Sequence, residues 1–225
     1  MKFRFMASAV FSLCVSGPLL AQQLTEGFDA EGLPEGWQAR NQSTTVGDNA
    51  NCWNQAGDIE LFASQAGSGQ MLANFRCEAA DGDISGWLLT PQLTGLQNGN
   101  VLTFYTTKAE GSEYADRLEV RLCVGEGCTA TGSTGSGAGD VGQFTTLLLT
   151  VNPTLGVGAA NYPESYTQFS ATLTGLPAGT NTGAIAFRYW VTSGGPTGAN
   201  SDIIGLDTVN LTDTTPVSLQ SFSVE

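Results

Sequence analysis

Apolar and polar residues alternate most cleanly over "RLEVRLCV", residues 117–124. Leu118, Val120, Leu122 and Val124 share one face, and Arg117, Glu119, Arg121 and Cys123 the other. A period of two marks a strand with one buried face. Seven further strand-like runs, at 70–75, 84–90, 101–107, 143–151, 166–173, 184–192 and 203–212, are set apart mostly by turn residues. No convincing amphipathic helix interrupts them, so the pattern predicts an all-β sandwich of two packed sheets.

Two stretches repeat one plan. "LTGLQNGNVLTFY" (93–105) and "LTGLPAGTNTGAIAFRY" (173–189) each end a strand at Leu-Thr-Gly-Leu, turn, and start a new aromatic strand. Two copies are too few for a solenoid, and they read as equivalent corners of two packed sheets. "TATGSTGSGAGDVG" (129–142) reads as a hairpin loop; it lacks the Lys-Ser/Thr ending of a phosphate-binding loop.

The first residues stand outside this pattern. Lys2 and Arg4 precede an apolar run from Phe5 to Leu20, closed by Ala21. Residues 1–21 therefore read as a secretory leader cut after Ala21, with one domain at 22–212 and a tail at 213–225. No other segment is apolar and long enough to cross a bilayer. The expected location is extracellular or periplasmic.

Removing Lys2 and Arg4 with the leader takes the formal charge from −13 to −15. Such a chain has no basic patch and would repel nucleic acid and anionic membranes. Histidine is absent, which removes the commonest general base and any His-ligated metal site. Cys14 leaves with the leader, and Cys52, Cys77, Cys123 and Cys128 remain to form two disulfides in an oxidising compartment. Cys123 and Cys128 flank the turn "GEG" and can reach each other, which leaves Cys52 for Cys77.

"DGDISGWLLTP" (81–91) opens like a calcium loop. Its later positions fail, with Gln92 where a bidentate Glu is wanted. Asp81 and Asp83 have no nearby group to split their pKa values. A turn feeding a buried strand is the plain reading.

Six stretches in order, "EGFDAEGLPEGW", "GDNANCWNQ", "DISGWLLTPQL", "VLTFYT", "DRLEVRL" and "IIGLDTVNLT", resemble the cleaved-adhesin and choice-of-anchor J family of exported bacterial domains. More distantly they are similar to MAM-type jelly rolls. The resemblance runs from Leu24 to Thr212 and implies a jelly-roll β-sandwich with structural calcium, serving as an adhesive or ligand-binding module. It implies ligands joining first strand to last: Glu26 and Asp29 in "EGFDA", and Asp207 in "GLDTV". Asp207 sits among apolar residues, where a carboxylate needs a partner or a cation. Glu26 is expected to share a strand face with Phe28, and Asp48 to close the site. The family's sorting tail has no counterpart in "DTTPVSLQSFSVE", so release into the periplasm or medium is expected.

For the ligand, carbohydrate or a protein surface, Trp53 in its polar stretch is the candidate platform, with packing beside a disulfide as its other reading, while Trp87 and Trp190 read as core. A polysaccharide hydrolase would need two carboxylates across a cleft. The nearest candidates, Glu113, Asp116 and Glu119, do not offer that, because Asp116 and Glu119 fall on opposite strand faces. A non-enzymatic binding module is expected, with a secreted polysaccharide-active hydrolase or an inert envelope or matrix component as the alternatives.

Overall fold

A computed structural model describes residues 22–132 and 139–213. The expected leader, residues 133–138 of the expected hairpin loop, and all of the tail but Asp213 lie outside these residues. Twelve strands and one short 3-10 turn, Phe75–Cys77, are present among them. The first six strands are β1 (Gln22–Glu26), β2 (Gln38–Asn41), β3 (Trp53–Ala56), β4 (Gln70–Asn74), β5 (Gly82–Leu89) and β6 (Leu93–Leu96). The rest are β7 (Val101–Lys108), β8 (Leu118–Val124), β9 (Thr146–Val151), β10 (Thr167–Thr172), β11 (Asn181–Gly194) and β12 (Ile203–Thr212).

They form two antiparallel sheets, as the alternation predicts. One runs β10-β7-β12-β4-β3, with β1 also on β12; the other runs β2-β5-β11-β8-β9, with β6 also on β11. The repeated corners make the same move in opposite directions. The first leaves β6 in the second sheet for β7 in the first, and the other leaves β10 for β11. They also pair: Asn98 Nδ2 donates to Leu176 O at 2.8 Å, and Leu176 N to Asn98 Oδ1 at 2.9 Å.

The core lies between the sheets, where Leu118, Val120 and Leu122 meet Ile185, Phe187 and Tyr189, and Leu102, Phe104, Leu206 and Leu211 close from the other side. Val124, assigned to the same face, is 41 % exposed because β8 ends there.

The second sheet is buried on its outer face too. Trp87, Leu89, Cys123, Ala184 and Ala186 are covered by Phe144 and Cys128 of the β8–β9 connection. Arg188 is buried on that face, its guanidinium 4.8 Å from the Trp87 ring and 4.2 Å from the Trp190 ring. It donates to Ser85 Oγ and Glu119 Oε2. Burial lowers its pKa to about 10. Trp87 and Trp190 are thus buried as expected, Trp87 beneath this cover rather than between the sheets and Trp190 beneath the guanidinium groups of Arg117 and Arg188.

No helix among the described residues is long and apolar enough to cross a membrane.

Candidate functional site

One end of the sandwich collects the loop entering β3, the turn leaving β4, and the β7–β8 and β11–β12 connections. "TTVGDNANC" is fastened across to the 3-10 turn. Gly47 N donates to Cys77 O, and Asn49 N to Arg76 O, both at 3.0 Å. The buried Glu78 carboxylate accepts from Thr45 N at 2.9 Å and from Ala79 N at 3.0 Å. The disulfide Cys52–Cys77, with Cα atoms 4.7 Å apart, locks the same pair of loops. Gly47 is required here, since a Cβ would stand 2.3 Å from Arg76 O. Across from it, Phe75 N donates to Asp202 O at 2.7 Å and Ser201 N to Ala115 O at 2.9 Å.

Four depressions run in series from this frame along the β3–β4 edge. The first, about 130 Å³, lies between Phe75, Tyr114, Pro196 and Asp202. Pro196 also borders the second, about 180 Å³, which reaches Asp48 and Arg76. Those two line the third, about 420 Å³, together with Asn51 and Asn54. The two asparagines continue into the fourth, about 270 Å³, against Leu33 and Met71. Linked by shared lining residues, the four depressions make a broken groove of amides, a few charges and aromatic edges.

Beside the first depression lies a buried acid. Asp116 Oδ1 accepts from Tyr189 Oη and from Asp202 N, while its Oδ2 is buried without a partner. Desolvation lifts its pKa to about 6, against the pull of the Tyr189 and Asp202 hydrogen bonds.

The residues expected to bind calcium do not gather. Asp48 lies in the groove. Asp207 stands at the other end of the β4–β12 pairing, where β12 exchanges β4 for β1 as its neighbour. Its carboxylate fills that junction. Oδ2 accepts from Gln65 N at 2.8 Å and Ala66 N at 3.2 Å, and Oδ1 from Thr208 N and Oγ1. Burial raises its pKa, and these bonds oppose the rise. Asp29 Oδ1 holds the next part of the same loop through Ser68 N and Gly69 N. Glu26 Oε1 accepts from Phe28 N at 2.7 Å. It does not share a strand face with Phe28, because β1 ends at Glu26 and Phe28 turns with φ 57°.

Calcium needs six to eight oxygens aimed at one point. Here Glu26, Asp29 and Asp207 each accept backbone N–H groups, and among the described residues no three acidic, His or Cys side chains converge. Each of these carboxylates is satisfied by amide N–H groups: Asp207 and Asp29 tie the last and first strands to the 65–69 loop, and β1 pairs with β12 through the backbone ladder. Asp207→Ala is expected to cost about 2 kcal/mol by orphaning these amides. Adding EDTA to the wild type should leave its melting curve in place. A drop in melting temperature with EDTA, restored by calcium, would contradict this account.

Trp53 is packed rather than exposed, although it borders the fourth depression. It opens β3, is 1 % exposed, and donates Nε1–H to Gly86 O at 3.1 Å. Both expected disulfides are present, the second joining Cys123 and Cys128 with Cα atoms 5.9 Å apart. The hydrolase candidates separate as expected: Asp116 faces Tyr189 in the core, and Glu119 pairs with Arg121 at 2.8 Å on the outer face. Sequence reasoning missed Tyr114, Phe75, Arg76, Pro196 and Asp202 as groove residues. The only hint was a lone tyrosine in the polar "EGSEYADR".

No protein-family model matches the chain, and no curated protein sequence does. Among solved structures it is similar to the K3 cleaved adhesin domain of Lys-gingipain from Porphyromonas gingivalis W83. Identity there is 21 %, covering 85 % of this chain and 98 % of that one, with a TM-score of 0.50. The K1 cleaved adhesin domain of the same protein gives 22 % identity over 84 % and 96 %, with a TM-score of 0.48. The CBM22-1 xylan-binding domain from Paenibacillus barcinonensis Xyn10C gives 13 % over 88 % and 97 %, with a TM-score of 0.42. The chain therefore has a cleaved-adhesin-like jelly-roll fold.

Proposed function

We propose that the chain is a secreted, non-catalytic module that binds an extended carbohydrate chain in the end groove. The observation that carries this reading is the series of four depressions, each sharing lining residues with the next. A linear ligand with repeating units suits such a series better than a single small molecule does. Amide-rich walls supply both donors and acceptors, as a chain of hydroxyl groups requires. Fastening by a disulfide and backbone bonds holds the loops in place before binding, which limits the ordering cost.

The placement of the acids supports a non-catalytic role. Asp116 is buried, Glu119 is paired with arginines, and Glu113 stands apart as an exposed loop residue. Two disulfides suit an exported protein.

Chain-length dependence tests the proposal. In titrations of the mature protein, affinity should rise from monosaccharide upward and level off at about four units, one per depression. A monosaccharide bound as tightly as its polymer would rule out an extended site, and a protein that binds no glycan would return the inert-component alternative.

A further inference from the structure

We infer that the groove selects a neutral polysaccharide over an acidic one, and that Tyr114 and Asp202 hold a sugar ring at its end. This inference rests on the carbohydrate reading above and adds the ligand's charge class and a named subsite.

Among the described residues Tyr114 is the one aromatic of the strongly exposed large side chains, at 49 % exposure; the four tryptophans are all buried. Its backbone is held, not loose. The buried Lys108 Nζ donates to Ser112 O at 3.0 Å and to Tyr114 O at 3.3 Å, and Tyr114 N donates to Ser112 Oγ. An open ring on a fixed loop is a stacking surface for the apolar C–H face of a sugar.

Asp202 sits across the same depression. Its backbone is used on both sides, by Phe75 N and by Asp116 Oδ1, whereas its carboxylate takes no hydrogen bond from any described residue. An ionised carboxylate is an acceptor with two oxygens, and adjacent sugar hydroxyls supply two O–H donors to match. Ring and carboxylate together recognise one hydroxylated ring.

The charge of the groove sets the class. Two accessible carboxylates, Asp48 and Asp202, face a single open guanidinium, Arg76, while Glu78 is buried and spent on Thr45 and Ala79. The chain around them carries −13. A uronate or sulfate ester laid along this groove would meet like charges, and the whole field would slow its approach. Specificity here arises from repulsion as much as from contact.

Affinity gel electrophoresis of the full mature chain tests this at low salt. The neutral polymers are galactomannan, arabinoxylan and β-glucan; the acidic ones are polygalacturonate and alginate. At least one neutral polymer should retard the protein, and neither acidic one should. Tyr114→Ala should weaken that binding roughly five- to tenfold, and Asp202→Asn should weaken it measurably, with the melting temperature unchanged for the first and not lowered for the second. Retardation by the acidic polymers alone, lost in Arg76→Gln and screened by salt, overturns the neutral-ligand inference while leaving the groove reading intact. Neutral binding that survives both Tyr114→Ala and Asp202→Asn places the ligand elsewhere and overturns the subsite. No retardation by any glycan overturns the carbohydrate reading itself. A protein ligand competing at the same residues does the same.

Discussion

Replacing Trp53 by Ala is expected to lower the stability of the fold by about 4 kcal/mol, the range for a fully buried large aromatic. For a domain of this size that corresponds to a fall in melting temperature of roughly 8–16 °C. The ring is wholly packed, and its indole N–H is bonded to Gly86 O on the facing sheet. Removing it leaves a cavity and takes a donor from that carbonyl. The cavity cannot close easily, because Gly86 already abuts Cys52: a Cβ there would lie 2.0 Å from Cys52 Sγ. Thermal unfolding measures the loss directly. A variant that melts like the wild type but no longer binds a glycan would mean that Trp53 is a ligand platform after all.

Trp53 shows what periodicity can and cannot read. Its neighbours in "NCWNQ" are polar, so no alternation marks β3. The strand is four residues long and lies at a sheet edge, where only Trp53 turns fully inward. β2, also four residues at an edge, was missed for the same reason. Central strands gave strong signals because both sheets bury them deeply. β11 is the extreme case, nine consecutive buried residues from Gly183 to Val191. Its outer face is apolar not because it meets the other sheet but because the β8–β9 connection covers it. Sequence alone cannot distinguish those two kinds of burial.

The disulfides were legible because one is local and the other follows from an even count. The hydrogen-bond partners of Asp207 were not, and the reason is physical. A lone Asp in an apolar strand signals a carboxylate that must be satisfied, but the sequence does not say by what. Asp207 finds its donors in Gln65 and Ala66, distant residues on the approach to β4. The groove was harder still. Tyr114 and Asp202 meet only because Ser201 N bonds to Ala115 O and Asp202 N bonds to Asp116. No local pattern encodes such a contact between loops.

Asp116→Asn is expected to stabilise the protein at pH 8 by about 3 kcal/mol, roughly 6–12 °C in melting temperature, and to change little at pH 4. The sign follows from the direction of the shift. Burial raises the carboxyl from 3.8 to about 6 in the folded chain. Well below pH 3.8 the acid is neutral whether the chain is folded or not, and it carries no penalty. As the pH climbs, the unfolded chain releases its proton first, and the folded state must then ionise a buried group or hold a proton against solution. The destabilisation grows between about pH 4 and 6 and is complete above that. Asp202 nearby adds to the cost, while Lys108 and the bonds from Tyr189 and Asp202 N reduce it. An amide keeps an oxygen to accept those two bonds and places N–H₂ where Oδ2 has no partner. Asp207 is raised too, so the wild-type pH profile alone would mix the two acids. The difference between wild type and Asp116→Asn, measured by urea unfolding from pH 4 to 8, isolates the one group. A flat difference, or an Asn variant less stable at pH 8, would mean that the charged form of Asp116 is satisfied by a group bound in solution at the buried Oδ2.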